Sequence, residues 1–167
     1  LGGSAHYVDS EGQMMLSAHV SLDQLVYEKS PLGNWPMNGV YLPGDNNTHH
    51  VDGFIMHNDQ EIMFMNGIYQ TDETGKENIT GELELQHFPL WVINPFVPDG
   101  IVNFRGDIDG TLAMEGNPLK PVLNGGLQLD SVLMVMPDMS IGFRFDNKQV
   151  KMQDSKMVFD KFNIYTR

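Results

Sequence analysis

The sequence predicts an all-β protein: a curved, largely antiparallel sheet that forms an open groove (a β-taco), with one short helical segment near residues 89–96. Apolar and polar residues alternate with a period of two over long stretches, which is typical of strands with one buried and one solvated face. Clusters of Gly, Pro, Asn and Asp separate these stretches, as turns do. A packed β-sandwich or a closed barrel is the structural alternative.

The first half of the chain shows a noisier alternation. Apolar residues occupy every second position from Leu16 to Leu22, and we expect a short strand near residues 36–42 after a turn at Pro31 and Gly33. Residues 43–47 form a strong turn signal. Strands at 48–57 and 61–70 are expected to form a hairpin, and the polar stretch 71–76 is the next loop.

The second half alternates more regularly, over residues 79–85, 102–115 and 123–129, and the apolar positions at 141–145, 157–159 and 162–164 continue the series. Glycines recur within these strands and permit strong curvature of a sheet. We expect the apolar residues to share one concave face and to line a groove. These candidate binding residues are Val102, Phe104, Ile108, Leu112, Met114, Leu123, Leu127, Leu129, Phe143 and Phe145.

A proline-rich segment, residues 87–98, breaks the alternation with three prolines, which a central strand does not tolerate. Leu90, Ile93 and Phe96 are spaced by three, as on one face of a short helix or 3₁₀ segment. Pro89 suits the first turn and Pro95 suits an ending. We expect this segment to lie against the apolar face of the sheet as a plug.

Composition narrows the classes of function. The 167 residues carry 22 acidic and 10 basic side chains, a formal net charge of −12, which argues against a nucleic-acid partner. The chain has no cysteine, which excludes disulfides and is compatible with an oxidising compartment. No apolar run reaches the roughly 18 residues of a membrane span. The chain begins at Leu1 without an initiator methionine, so we expect a segment of a longer polypeptide.

Catalytic and metal-binding motifs are weak. No Gly-x-Ser-x-Gly elbow or phosphate-binding Gly-rich loop occurs, and the carboxylates fall on the polar side of the alternation or in loops. His49, His50, Asp52, His57 and Asp59 are metal-ligand types, but the adjacent histidines point to opposite faces of a strand. Pro118 stands where a calcium loop starting at Asp107 would need its acidic twelfth residue. We therefore predict no catalytic residue, metal site or cofactor.

A longer pattern spans residues 106–129: a Gly-rich strand, the element Gly116-Asn117-Pro118-Leu119-Lys120-Pro121, and a second strand that begins near Gly125. This pattern resembles the C-terminal region of the TamB family, the translocation and assembly module proteins of the AsmA-like superfamily. The stretch 88–96 is similar to a short helix that precedes it in Bacteroidetes-type members, and 156–165 looks like the following strand pair. The resemblance covers residues 81–167.

The resemblance implies two parts, a β part at residues 1–76 with weak resemblance and a TamB-like β-groove part at 77–167, or else one continuous domain. It implies a non-enzymatic segment that provides an apolar groove for phospholipid transport between membranes, for outer-membrane protein assembly, or for both. The implied partners are lipid acyl chains or nascent outer-membrane β-strands, and an Omp85-type protein reached through the full-length chain. The implied location is the periplasm, in a protein anchored in the inner membrane.

A binding module is the alternative from a different class. Six aromatic residues could form a sugar-stacking platform, because aromatic rings offer large flat faces: Trp35, Trp91, Tyr27, Tyr41, Tyr69 and Tyr165. A carbohydrate- or protein-binding β-sandwich would require two packed sheets and several exposed coplanar rings. An open apolar face would instead favour the groove.

Overall fold

A single open sheet of 12 strands makes up almost the whole fold of the computed structural model, which describes residues 2–10, 13–27, 30–98 and 101–166. The strands are β1 (Gly2–Ser10), β2 (Gln13–Tyr27), β3 (Ser30–Pro43), β4 (Thr48–His57), β5 (Gln60–Thr71), β6 (Glu77–Pro89), β7 (Asn103–Asn117), β8 (Lys120–Met136), β9 (Ile141–Phe145), β10 (Gln149–Gln153), β11 (Lys156–Val158) and β12 (Ile164–Thr166). Two 3₁₀ helices, Leu90–Phe96 and Pro137–Met139, interrupt them. The predicted all-β open sheet is confirmed.

The sheet is an antiparallel meander in which each strand from β1 to β8 pairs with the next. On its side away from β7, the long strand β8 pairs with two different strands. Its first part pairs with β10 and its last part pairs with β9, while β11 and β12 lie outside these. β5 and β6 pair continuously from Met63 to Thr71, so the sheet runs without interruption across residue 76.

Bulges bend the sheet in the half where the first 3₁₀ helix packs. Register shifts occur between Leu22 and Val26, between Ile55 and Met56, between Leu85 and Phe88, and opposite Gly106. Three of them contain a residue with positive φ whose N–H donates to a side-chain oxygen of a neighbouring segment: Gln24 to Asn34 (2.8 Å), His87 to Asp109 (2.8 Å) and Ser131 to Asn147 (2.9 Å). A bulge increases the local twist of its strand. Because these bulges lie in the same half of neighbouring strands, together they curve this half of the sheet.

The predicted helical segment exists as the 3₁₀ helix Leu90–Phe96, which we call the plug. Leu90, Trp91 and Val92 pack on the two hydrophobic clusters of the sheet, whereas Phe96 is 62% exposed. The packing on these clusters comes from three consecutive residues, of which only Leu90 belongs to the expected set spaced by three. Pro95 lies inside the helix rather than at its end.

Several strand boundaries differ from the sequence-based expectation. β3 begins at Ser30 rather than near residue 36, because the bulge opposite Leu25 accommodates Gly33 at a φ of 85°. β1 and β10 were not anticipated from the alternation. Phe159 and Phe162 lie between β11 and β12 instead of continuing a strand, and their rings pack on Phe145 at 6.4 and 6.1 Å.

Candidate functional site

The concave face of the sheet can be traced from the strand register, because directly paired residues in antiparallel strands point to the same side. Three adjacent rows cross the sheet in this way. The first row is Ala5, Ala18, Gly39, Gly53, Met65, Leu83, Leu112, Gly125, Met152 and Met157. The second row is Gly3, Val20, Met37, Ile55, Met63, Leu85, Gly110, Leu127 and Val150. The third row is Tyr7, Leu16, Tyr41, Val51, Gly67, Gly81, Met114 and Leu123.

None of these rows contains a charged residue. Charges lie instead on the intervening convex rows, where Asp52 and Glu82 flank Asn66, and Glu84 and Lys151 occupy the next row. The two faces therefore differ in charge: the convex rows carry mostly acidic charges, beside the half-buried Phe54 and Phe64, and the three concave rows form an uncharged, largely apolar surface.

The predicted groove residues lie at different depths. Ile108, Leu112, Leu127 and Leu129 are buried in the main hydrophobic cluster, Met114 is also buried, and Leu123 and Phe145 pack against the cluster. Phe104 and Phe143 both pair with Met134 near the end of β8. Val102 lies just before β7. Most of the predicted set thus forms the packed base of the concave face rather than its accessible part.

The accessible part of the concave face comes mainly from the first half of the chain, which sequence reasoning passed over. Val51, Met65 and Leu83 are partly exposed there, in rows continuous with the buried residues. Their strands alternate less regularly because a bulge shifts the register between Ile55 and Met56. The period-two alternation within residues 48–57 and 61–70 was the sequence signal that could have identified this accessible part.

Gly39 and Gly53 are paired directly at the centre of the accessible part, and we call them the floor glycines. A Cβ added to either would meet only a backbone oxygen of the neighbouring strand, at 3.6 and 3.5 Å, which is ordinary contact. By contrast, a Cβ on Gly81 would collide with the carbonyl oxygen of Asn66. The floor glycines are therefore not required by local packing, and glycine inside a strand often marks a close approach by a ligand or another chain.

The plug closes one end of the concave face. Trp35 is 7% exposed, and its ring stacks on His57 at 4.9 Å and lies 6.4 Å from the ring of Trp91. Asn94 fixes the helix to β7: its amide donates to the carbonyl oxygen of Phe104 at 2.9 Å and its Oδ1 accepts the Phe104 N–H at 2.7 Å. His57 Nδ1 is buried without a hydrogen-bond partner among the described residues.

The opposite strand ends carry a different cluster, Tyr41, His49 and Tyr69, which we call the rim cluster. The Tyr41 hydroxyl and His49 Nδ1 are 2.7 Å apart, and the two rings stack at 5.8 Å. His49 pairs with Tyr69 across β4 and β5, with ring centres 5.7 Å apart. The rim cluster therefore places polar aromatic groups beside an apolar floor, because Val51 and Gly67 are the next concave pair along the same strands.

The segment after β11 covers the C-terminal end of the concave face. Phe159 and Phe162 contact each other at 5.1 Å over Phe145. The Asp146 carboxylate holds this segment by accepting the N–H and the amide of Asn163, each at 3.0 Å, and it lies 2.9 Å from Lys148 Nζ. The hydrogen bond from Lys148, followed by that from the Asn163 N–H, lowers the pKa of Asp146 below its ordinary value of 3.8.

The solvent-accessible surface area of the chain is large for its mass, as expected for an open sheet. A compact monomer of 18.8 kDa would expose about 8300 Å². The chain exposes 11240 Å². The sheet has no second sheet packed on it among the described residues, so the excess belongs to an unsealed architecture rather than to a sandwich.

The alternative sites considered from sequence are not assembled in the described residues. Trp35 is buried and inclined by 54° to Trp91, so these rings form no coplanar exposed platform. His49 and His57 lie at opposite ends of β4, about 27 Å apart at 3.4 Å per residue, and His57 packs beside the plug. No group of three or more potential metal ligands converges within the described ranges.

No protein-family model, curated protein or solved structure shows significant similarity to the chain. In the part of the chain that the structure describes, no helix is long and apolar enough to cross a membrane.

Proposed function

We propose that the chain is a non-enzymatic, TamB-like segment whose concave face shields the acyl chains of phospholipids from water during transport between membranes. The observation that carries the proposal is the set of three uncharged rows on the concave face of an open sheet, with accessible residues such as Val51, Met65 and Leu83. A soluble protein covers an apolar surface of this extent with a partner or a ligand.

The concave face is long enough to hold an extended acyl chain. Nine strand spacings between β1 and β11 give the concave face a length of about 43 Å at roughly 4.8 Å each. Each methylene group removed from water contributes about 0.8 kcal/mol. The lining needs no specific chemistry, because transport requires uniform and weakly selective contact along the groove. The acidic convex face keeps such a protein soluble and away from anionic membrane surfaces.

A role in outer-membrane protein assembly is a second candidate, supported by the edge of the sheet. β1 pairs with β2 over nine consecutive residues without a bulge and contains no Pro, Lys or Arg. The opposite edge strands, β11 and β12, have three residues each. The outer backbone groups of a long strand are a template for strand addition, so β1 would accept either a nascent β-strand or a further strand of the longer protein.

The proposal places the chain in the periplasm, within a longer protein anchored in the inner membrane and in contact with an Omp85-type protein. The residues 106–129 that resemble the TamB family support this placement, and the absence of cysteine is compatible with it.

A vesicle assay tests the proposed transport. Donor vesicles containing a fluorescent phospholipid are mixed with acceptor vesicles and the purified chain, and the transfer rate is measured. Met65→Asp places a charge on the concave face and should reduce transfer strongly, whereas Asn66→Asp places the same charge on the convex face and should leave it unchanged. Equal transfer by both folded variants, or no transfer by the wild-type chain, would contradict the proposal.

A further inference from the structure

We infer that the convex side of β3, β4 and β5 is a docking surface for a polypeptide segment that carries both apolar and basic side chains. This inference does not depend on lipid transport, because it concerns the face of the sheet opposite to the groove. Five apolar residues define the surface, which we call the convex patch: Val40, Leu42, Phe54, Phe64 and Ile68.

The strand register places these five residues together. Phe54 pairs directly with Phe64 across β4 and β5. Leu42 and Ile68 lie in the same row, on the two strands that flank β4, and Val40 lies two residues before Leu42. Directly paired residues share a face, and every second residue of a strand returns to that face. All five side chains therefore project from the convex side.

The convex patch is not part of the hydrophobic core. Among the described residues, none of its members belongs to either hydrophobic cluster or packs against one. Leu42 and Ile68 are 39% and 41% exposed, and Phe54 and Phe64 are half-buried. A sheet with one face in water places polar residues on that face. Apolar side chains grouped there indicate a surface that another molecule covers.

Acidic side chains accompany the convex patch, and basic ones are lacking. Asp52 pairs with Val40 on one side and with Asn66 on the other, and its carboxylate has no hydrogen bond or ion pair among the described residues. Glu82 pairs with Asn66 on the next strand. No lysine or arginine occurs in strands β1 to β6, and Lys76 lies in the loop that joins β5 to β6. Charge complementarity therefore favours a partner with lysine or arginine beside its apolar residues.

The size and shape of the convex patch favour a peptide segment over other occupants. From Phe64 to Ile68 it extends about 14 Å along the strands, and from β3 to β5 about 10 Å across them. The resulting area of roughly 140 Å² is far below the about 800 Å² that each partner of a stable dimer buries. A second copy would also bring the same net charge of −12. A convex surface does not enclose a small molecule, whose binding sites are concave.

The binding of three labelled peptides tests the inference. The first peptide is amphipathic, with leucine on one side and lysine on the other. The second has glutamate in place of lysine, and the third has serine in place of leucine. In fluorescence anisotropy, the wild-type chain should bind the leucine–lysine peptide about tenfold or more tightly than either of the others. Equal binding of the leucine–glutamate or the serine–lysine peptide would overturn the inference.

Matched substitutions separate the convex patch from the rest of the convex face. Phe64→Thr combined with Ile68→Thr should weaken binding of the leucine–lysine peptide about tenfold or more. Val122→Thr is the control and should leave binding unchanged, because Val122 lies in the same row as Ile68 and is 37% exposed but belongs to β8. Asp52→Asn should weaken binding about threefold. Glu115→Gln removes the same charge from the convex side of β7 and should have a smaller effect.

Each outcome supports or overturns the docking surface. Weaker binding by the double variant and by Asp52→Asn, with both controls close to the wild-type chain, supports it. Wild-type affinity in the folded double variant would overturn it. An equal loss in Asp52→Asn and Glu115→Gln would overturn it in favour of attraction by net charge alone. Val51→Thr alters the concave side of β4, and a loss of binding there with none in the double variant would place the peptide in the groove. If the double variant does not fold, Ile68→Thr alone, at an exposed position, gives the same comparison with a smaller expected loss.

Discussion

Replacing both floor glycines by valine should stabilise the fold and weaken lipid transfer. Glycine within a strand costs roughly 0.5–1 kcal/mol relative to alanine, and β-branched residues favour strands. The new Cβ atoms would meet only backbone oxygens at 3.5–3.6 Å, which is ordinary contact. For the pair Gly39→Val and Gly53→Val we expect about 1–2 kcal/mol of added stability, which raises Tm by roughly 3–6 °C.

The same substitutions should impair function because the new side chains stand where the acyl chain would touch the backbone. Displacing roughly three methylene groups from the floor, at about 0.8 kcal/mol each, costs about 2 kcal/mol. That corresponds to binding weakened about thirtyfold. Thermal unfolding followed by circular dichroism and vesicle transfer measure the two effects on the same samples.

A convex substitution provides the control for this prediction. Ala113→Val introduces the same final side chain at an exposed position of β7, between Glu82 and Asn124, and should leave transfer unchanged. A higher Tm with unaltered transfer in the glycine double variant would refute the location of the acyl chain. A lower Tm would refute the inference that the fold itself does not require these glycines.

Three further predictions concern the ends of the groove. His57→Phe should raise stability by about 1 kcal/mol in thermal unfolding, because it removes a buried, unpaired nitrogen and retains a ring between the tryptophans; a loss of stability would mean that Nδ1 is satisfied. Asn94→Ala should speed hydrogen exchange throughout the plug by removing both bonds to Phe104, at a cost of about 1–3 kcal/mol, and unchanged exchange would contradict the clamp. The lowered pKa of Asp146 means that its stabilising contribution is present above pH 3.8 and is lost as the pH falls through the lowered value. In urea unfolding, the wild-type chain should therefore exceed Asp146→Asn in stability at neutral pH, and the difference should shrink below about pH 3.8; a constant difference would exclude this linkage.

The sheet itself was predictable because its strands alternate apolar and polar residues over many positions. Local sequence signals predicted three further elements, and the structure confirms each of them: the turn after Pro43, the hairpin of β4 and β5, and the plug. Alternation also placed His49 and His50 on opposite faces, as the register has them. The alternation did not predict β1 or β10. β1 is rich in small residues, and β10 has only Val150 and Met152 as apolar residues.

The bulges could not be predicted from local sequence. Gln24, His87 and Ser131 have positive φ although none is glycine, and each is held by a side chain 10 to 22 positions away. The sequence singled out Tyr41, His49 and Tyr69 separately but did not predict their association, since they come from three strands and only the register brings them together.

The central claim is that lipid occupies the concave face, and site-specific photocrosslinking in cells tests it most directly. A photoreactive amino acid replaces Leu83 on the concave face or its exposed convex neighbour Glu82, and mass spectrometry identifies what is captured. The account predicts phospholipid adducts at position 83 and none at position 82. Equal capture at both positions, or capture of only polypeptide at position 83, would contradict it.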